Sequence, residues 1–388
     1  MTKTQNIFNI DKICTCGGKA AGLALLNKMK IPYHILNNPK MLKKACSTSS
    51  CDGKKVLKQS FKARMARLLK VSENKLPEIL KPSDVFTCRL NRLRNTSRTK
   101  VIERANQMGI ELTPIPWYPD SFTVKNTKYD LVNTDLVKGG VLFIQNASSY
   151  LPVLALEPQK GDSILDICAA PGGKSSHIAA LTNGEIELWL NDGIKTRLEP
   201  LKQVQKLLGF KYSNLTSFPA QSIDKEIHQL FDKILLDVQC SGEGMIDIQK
   251  PATMRFWSMD RIKKYMHLQT KALNAAFNLL KPGGTLVYST CTFAPEENEA
   301  PITSFLKRNP DALVQPLVFE SNHIRHGEKQ WDNMLFDPKL QGALRVLPHD
   351  GMEGFFVCRI RKKPILDENQ PIDLKQKGIH YANLAEPL

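Results

Sequence analysis

The clearest pattern in the chain lies between residues 140 and 290, where short apolar runs alternate with longer amphipathic stretches. Ile164, Leu165 and Ile167 read as a buried strand that ends in Ala169, Ala170, Pro171, Gly172 and Gly173. Lys174 to Leu181 then reads as a helix that turns Ile178 and Leu181 toward the sheet. Ile186 to Leu190 predicts a second strand ending at Asn191-Asp192, and Lys195 to Leu208 a helix closed by Gly209. Asn214 to Phe218 is a third strand, and Lys233 to Val238 a fourth that runs straight into Gln239-Cys-Ser-Gly-Glu-Gly244. Ser258 to Leu280 predicts a long helix ended by Lys281-Pro-Gly-Gly284, and Thr285 to Ser289 a fifth strand. Phe355 to Ile360 reads as a late strand, antiparallel and at or near an edge. Strand and helix in alternation over this length imply an α/β fold with a doubly wound, mostly parallel sheet.

Upstream the pattern changes. Phe61, Met65, Leu68 and Leu69 share one helical face, while Lys62, Arg64, Arg67 and Lys70 point elsewhere. Val85 to Arg94 reads as a basic strand, Val101 to Met108 as a helix, and Ile110 to Trp117 as an extended segment broken by two prolines. Residues 56–130 therefore read as a small α/β module, with Arg89, Arg92, Arg94, Arg98 and Lys100 available to grip RNA. The competing reading is a solvated basic face. Residues 131–363 form the main domain, entered through a short strand and helix within Gly139 to Leu156. Residues 1–55 are an extension of unknown role, with a helix after Gly17 that stops before Pro32, and 364–388 read as a polar surface tail. Cys14, Cys16, Cys46 and Cys51 lack the spacing of paired zinc knuckles, so no metal is expected.

Charge sharpens this picture. The chain has 54 Lys and Arg against 38 Asp and Glu, a net charge of +16, which favours a polyanionic partner such as nucleic acid. A hydrophobic content of 42% is ordinary for a globular protein. No stretch reaches the roughly 18 apolar residues of a membrane span, and the start Met-Thr-Lys-Thr-Gln-Asn-Ile-Phe lacks the apolar core of a signal peptide. Nine scattered cysteines argue for reduced thiols and a cytoplasmic protein. The chain reads as a monomer.

The candidate chemistry gathers at strand ends, which line one rim of a doubly wound sheet. The turn from Cys168 to Gly173 is neither G-x-G-x-x-G nor a complete phosphate loop. Its glycines still allow close approach of a ligand to backbone N–H groups. Asp192, ending the second strand, stands where a carboxylate would hold a ribose diol. S-adenosylmethionine, an adenosine with methionine in place of phosphates, fits that pair of features. Cys240 and Cys291 lie in polar loops after the fourth and fifth strands, where a thiolate would be a nucleophile. Cys88, Cys168 and Cys358 read as small hydrophobes.

Several motifs in order carry a resemblance. Asp166-Ile-Cys-Ala-Ala-Pro-Gly-Gly-Lys-Ser175, Leu236-Asp-Val-Gln-Cys-Ser-Gly-Glu-Gly244, Lys281 to Thr292 and Glu296-Glu-Asn-Glu299 resemble the Sun (Fmu) family of RNA cytosine-5 methyltransferases. Gln145 to Pro152, Trp257-Ser258, Pro348-His349 and Gly354-Phe-Phe356 match as well, so the resemblance spans about residues 60–363. It is strongest to the bacterial RsmF-type ribosomal RNA enzymes, although no counterpart of their C-terminal PUA-like extension is visible. The resemblance implies S-adenosylmethionine as cofactor and RNA as partner, ribosomal RNA ahead of transfer RNA. It assigns Cys291 as the nucleophile and Cys240 to product release. It gives Asp237 to the cytosine amine and ring nitrogen, and Lys174 to the target nucleotide. Cys168, Ala169, Ala170, Pro171, Gly172, Gly173, Lys174, Asp192 and Asp237 would line the cofactor pocket. Two positions depart from the family pattern: Gln239 stands where proline is usual, and Pro219 near where an aspartate would touch adenine. These departures motivate the alternative of a catalytically impaired RNA-binding or assembly protein of the same fold. A DNA methyltransferase is disfavoured, because its nucleophile would follow a proline after the fourth strand.

Overall fold

The computed structural model describes residues 53–81, 85–365 and 379–380. The expected helix after Gly17, the cysteines Cys14, Cys16, Cys46 and Cys51, and most of the tail lie outside them. The described residues fall into two compact units, one running to Lys81 and including Ile246–Arg261, the other holding the rest.

In the first unit, helix α1 (Gly53–Leu69) buries Phe61, Met65, Leu68 and Leu69, as the pattern predicted. Phe61 meets Trp257 edge-on, with ring centroids 5.2 Å apart. Arg64 departs from expectation, being fully buried among the apolar residues rather than pointing away.

The second unit opens with a four-stranded antiparallel sheet. Strand β1 (Phe86–Leu90) is followed by α2 (Arg98–Gln107), then β2 (Leu112–Ile115), β3 (Tyr118–Val124) and β4 (Leu142–Ile144), in the spatial order β2-β3-β1-β4. The segment read as one extended stretch from Ile110 to Trp117 is a strand that returns as β3, with a register shift at Pro114/Ile115. β4 pairs with β1 rather than leading into the large sheet, so this sheet crosses the boundary placed at residue 130, while α1 belongs to the first unit.

Within the basic cluster, Arg89 is enclosed, whereas Arg92, Arg94, Arg98 and Lys100 are exposed. Arg89 is fully buried. Its Nε donates to Gln145 Oε1 at 2.8 Å, and its Nη2 donates to the Gly173 carbonyl at 3.1 Å and Ser176 Oγ at 2.6 Å. It is a strut between β1 and the helix that follows the small-residue turn. Arg94 Nη2 caps the Leu207 carbonyl at 2.5 Å, a cation at a helix C-terminus. Arg92 pairs with Asp120. Arg98 and Lys100 are exposed.

The large sheet is built as the alternation predicted. Helix α3 (Leu151–Leu156) precedes β5 (Ser163–Asp166), α4 (Gly173–Leu181), β6 (Glu187–Asn191), α5 (Leu198–Leu208), β7 (Asn214–Thr216), β8 (Phe231–Asp237), α6 (Met259–Asn278), β9 (Leu280–Thr290) and α7 (Glu299–Leu306). Strands β7, β6, β5, β8 and β9 lie side by side, all parallel. The chain winds outward from β5 through β7 and then restarts on the other side at β8, so the switch point falls between β5 and β8. α5 ends at Gly209, whose φ of +75° closes the helix.

β9 starts five residues earlier than read. Leu280 is buried and pairs with Phe231, and a register shift between Phe231 and Lys233 absorbs Lys281-Pro-Gly-Gly284 within the strand. The sheet then continues antiparallel. β10 (Ala312–Gln315), β12 (Ile324–His326), β15 (Leu344–Val346) and β16 (Phe355–Lys362) follow, in the order β12-β15-β16-β9, with β10 also on β16. β16 is antiparallel as expected, but it is interior, flanked by β9 on one side and by β15 and β10 on the other. Its first six residues are buried, which explains why its apolar run lacks alternation. Two short pairs complete the fold: β11 (Leu317–Val318) with β17 (Ile379–His380), and β13 (Gln330–Trp331) with β14 (Met334–Leu335).

Removing the strut should expose its worth. Arg89→Leu removes the three hydrogen bonds to Gln145, Gly173 and Ser176, and should lower unfolding free energy by roughly 2–4 kcal/mol, whereas Lys100→Ala should change it by under about 0.5 kcal/mol. Urea titration of both variants measures the difference.

Candidate active site

The four strand ends converge as the topology requires. β5 ends at Asp166 and passes through the turn to α4. Gly172 has φ +107°, and a Cβ there would come within 3.3 Å of Val204 on α5. A Cβ on Gly173 would crowd Phe143 and Gln145 at 3.3 and 3.4 Å. The turn is thus closed down on its own support, leaving its outer side to a ligand. The Ala170–Pro171 peptide is cis.

Asp192 is buried beside this turn. Its Oδ2 accepts from the Ala170 N–H at 3.2 Å and pairs with Arg197 Nη1 at 3.0 Å, and its Oδ1 accepts from Ile194 N–H at 3.1 Å. Three donors on a carboxylate with about four acceptor sites leave room for one more, such as a ribose hydroxyl. Arg197 also donates to the Ala170 carbonyl at 2.5 Å, a fastening that no sequence signal announced. Pro219 starts the 3-10 turn Ala220–Lys225 and adds no carboxylate of its own.

On the other side of the switch point, Lys174 Nζ pairs with Asp237 Oδ2 at 2.7 Å. Burial works against the ammonium, but the Asp237 carboxylate outweighs it, so the Lys174 pKa rises and the cation persists. Asp237 Oδ1 accepts from Ser289 Oγ at 2.7 Å. The Lys174 ammonium also lies 5.5 Å from the centre of the Phe355 ring, within cation–π range.

Cys240 and Cys291 face each other, with sulfurs 3.3 Å apart and no bond between them. The residue after each is tied to its opposite number, Ser241 Oγ to Thr292 Oγ1 at 2.8 Å. Burial and the Cys291 neighbour push the Cys240 thiol well above its ordinary range, with the hydrogen bond to Cys291 the largest cause. Gly244, in the Cys240 loop, and Gly354, just ahead of β16, are required by contact. Gly244 N–H donates to the Cys291 carbonyl at 3.0 Å, and Gly354 N–H to the Gly244 carbonyl at 3.1 Å. A Cβ on Gly244 would fall 2.0 Å from the Gly354 oxygen, and one on Gly354 would fall 2.1 Å from Phe293.

Beneath the thiols the Glu296-Glu-Asn-Glu299 segment is entirely buried. Asn298 accepts from Thr290 Oγ1 at 2.6 Å and donates to the Thr292 carbonyl at 2.9 Å, gripping Cys291 from both flanks. Arg345, also buried, pairs with Glu299 at 2.6 Å and donates to the Phe293 carbonyl at 2.5 Å. The motif was legible as a block of acids directly after a strand end. Its supporting partners Gln269 and Arg345 were not, because Gln269 is one polar residue among many on a mixed helix and Arg345 a lone polar residue inside an apolar run.

The sequence and the fold are shared with known proteins. Residues 153–361 match the model of the family described as 16S rRNA methyltransferase RsmB/F. The chain belongs to that family. Ribosomal RNA small subunit methyltransferase F of Escherichia coli O81 (strain ED1a) is 35% identical over 283 residues, covering 69% of this chain and 56% of that protein. The namesake from Aeromonas salmonicida (strain A449) is 35% identical over 278 residues, again covering 69% and 56%. The chain thus spans little more than half the length of these curated relatives. Among solved structures, a methyltransferase homologue from Pyrococcus horikoshii superposes with a TM-score of 0.64 at 30% identity, covering 78% of this chain and 99% of that one. NSun6 from the same organism, solved with SFG, shares the fold at a TM-score of 0.64 and 22% identity, covering 79% of this chain and 97% of that one. The doubly wound methyltransferase fold and the Sun-type RsmB/F membership read from the sequence both stand.

Two buried acids give the site a pH signature. Burial raises Asp166 to about 7, against the opposing hydrogen bond from Ser175, and raises Glu297 to about 8. Both bind a proton in the folded state that the unfolded chain releases at lower pH. Their contribution to stability should therefore be fully present below the ordinary carboxylate range and be lost as pH rises through about 7 and 8. Thermal melts from pH 5 to pH 9 should show this decline, and Asp166→Asn or Glu297→Gln should each flatten it.

Proposed function

We propose that the chain transfers a methyl group from S-adenosylmethionine to carbon 5 of a cytosine in RNA, through a covalent adduct on Cys291. The observation that carries this reading is the 3.3 Å approach of the Cys240 and Cys291 sulfurs beside the Lys174–Asp237 pair. Ribosomal RNA is the substrate class favoured by the names of the relatives, and transfer RNA is the second candidate. The basic surplus of the chain suits either polyanion.

The turn from Cys168 to Gly173, with Asp192 and Asp237, would hold the cofactor, Asp192 taking the ribose through its remaining acceptor site. When bound, S-adenosylmethionine supplies a methyl group on a sulfonium centre. The work of this chain is to make carbon 5 nucleophilic. Cys291, as thiolate, adds to carbon 6, and the ring electrons move toward carbon 5 and the ring nitrogen. Asp237 holds the proton on that nitrogen and the exocyclic amine, and Lys174 fixes Asp237 and the nucleotide. The base must leave its stack to reach this depth, so a flipped or single-stranded cytosine is the substrate form.

After methylation the carbon 5 proton has to leave, and the carbon–sulfur electron pair must return to Cys291 as thiolate. Cys240 assists that step. Before reaction its proton is retained because Cys291 is its neighbour. Once Cys291 is a thioether that hold is gone: Cys240 gives its proton to solvent and, as thiolate, takes the proton from carbon 5, whose C–H electrons re-form the 5,6 double bond and expel Cys291 as thiolate. Gln239 leaves this arrangement intact, since its side chain is exposed and only its backbone enters the loop.

Cys291→Ala should reduce methyl transfer from labelled cofactor to ribosomal RNA below detection. Cys240→Ala should instead accumulate protein bound to RNA on a denaturing gel. Full transfer by the first variant, or no retained RNA with the second, rejects the adduct.

A further inference from the structure

Cys240 lies between two backbone groups that are both held from beneath. The Gln239 carbonyl accepts from Gln269 Nε2 at 3.0 Å, and the Ser241 N–H donates to Glu297 Oε2 at 2.9 Å. Gln269 Nε2 also donates to that same carboxyl oxygen at 3.0 Å, so one amide and one carboxyl close a ring around the cysteine. Both side chains are buried, Gln269 on α6 at 2% exposure and Glu297 at 0%. Burying two polar groups costs stability unless they are hydrogen-bonded, and here those bonds go to the backbone on either side of Cys240 and to each other.

The chemistry of the ring is that of a neutral acid. Glu297 Oε1 is buried with no hydrogen-bond partner, and burial raises this carboxyl to about 8. At neutral pH the group therefore accepts through Oε2 without placing an anion beneath the thiols. The loop it restrains is also tied through Ser241 Oγ to Thr292 Oγ1 at 2.8 Å, a contact that does not reach Gln239. A glutamine at 239 brings no pyrrolidine ring to fix its own φ, and Gly242 follows with φ +74°.

We propose that Gln269 and Glu297 are positioning residues that clamp the backbone on both sides of Cys240, keeping its thiol on Cys291 and so setting the rate of product release. The release role rests on the reading of Cys240 given above; the clamp itself does not.

The test has two arms. In the protein without RNA, iodoacetamide labelling of Cys240 is followed by peptide mass spectrometry, with the buried Cys358 as internal control. Glu297→Ala and Gln269→Leu should raise the Cys240 labelling rate by about tenfold or more, leaving Cys358 unchanged. Glu297→Gln, which keeps an acceptor oxygen, should recover most of the protection. In the second arm, with ribosomal RNA and labelled cofactor, the Ala and Leu variants should retain more RNA on a denaturing gel than the wild type. Their turnover should fall more than their first-turnover methyl transfer. Unchanged Cys240 labelling, equal acceleration of Cys240 and Cys358, or Glu297→Gln behaving like Glu297→Ala would each overturn the clamp. Labelling that follows the expectation while no variant, wild type included, methylates RNA would support the clamp and reject the methyltransferase reading.

Discussion

The parallel pairing of β8 with β9 is the constraint on which the site depends. Asp237 stands opposite Ser289 in register, and the Ser289 hydroxyl bonds the Asp237 carboxylate across the pair. Cys240 follows Asp237 by three positions and Cys291 follows Ser289 by two, so both thiols leave the sheet together. A slip of one residue would turn every side chain on the strand to the other face. The buried apolar stretches Ile234–Leu236 and Leu286–Tyr288 oppose that slip. The meeting of two sulfurs is thus fixed by hydrophobic packing well below them.

The electrostatics of the site follow from the same burial. Asp166, Glu297 and Glu299 all lie in the interior, where an unpaired anion is costly. Each meets the cost in its own way. Asp166 and Glu297 hold their protons to higher pH, and Glu299 pairs with Arg345. The full charges left at the rim are then the Lys174–Asp237 and Asp192–Arg197 pairs, one on each side of the turn after β5.

Much of this was readable from residues. The apolar runs and glycine punctuation located the parallel strands, because strands buried on both faces leave an unbroken apolar signature. Cys240, Cys291, Asp192 and Asp237 could be nominated because they lie at the ends of those strands, and Lys174 through the family resemblance. The late strand was misjudged as near an edge, since its buried run says that both faces are covered but not which strands lie beside it. Arg89 departed from expectation for a related reason. Charge counts cannot separate a guanidinium in solvent from one enclosed by Gln145, Gly173 and Ser176. Gln269 gave no warning, being one polar residue in a helix whose orientation only the tertiary structure defines.

The enclosed Arg89 has a consequence for how this protein can be altered. Its stem grows from the small antiparallel sheet, while its head is seated against the Gly173 carbonyl at the start of α4. Any recombinant that exchanges the small sheet for that of a relative must carry over the sockets at Gln145, Gly173 and Ser176, or it inherits a guanidinium without a seat. The natural crossover point for chimaeras is therefore not the loop between the two sheets, because the two share a keystone.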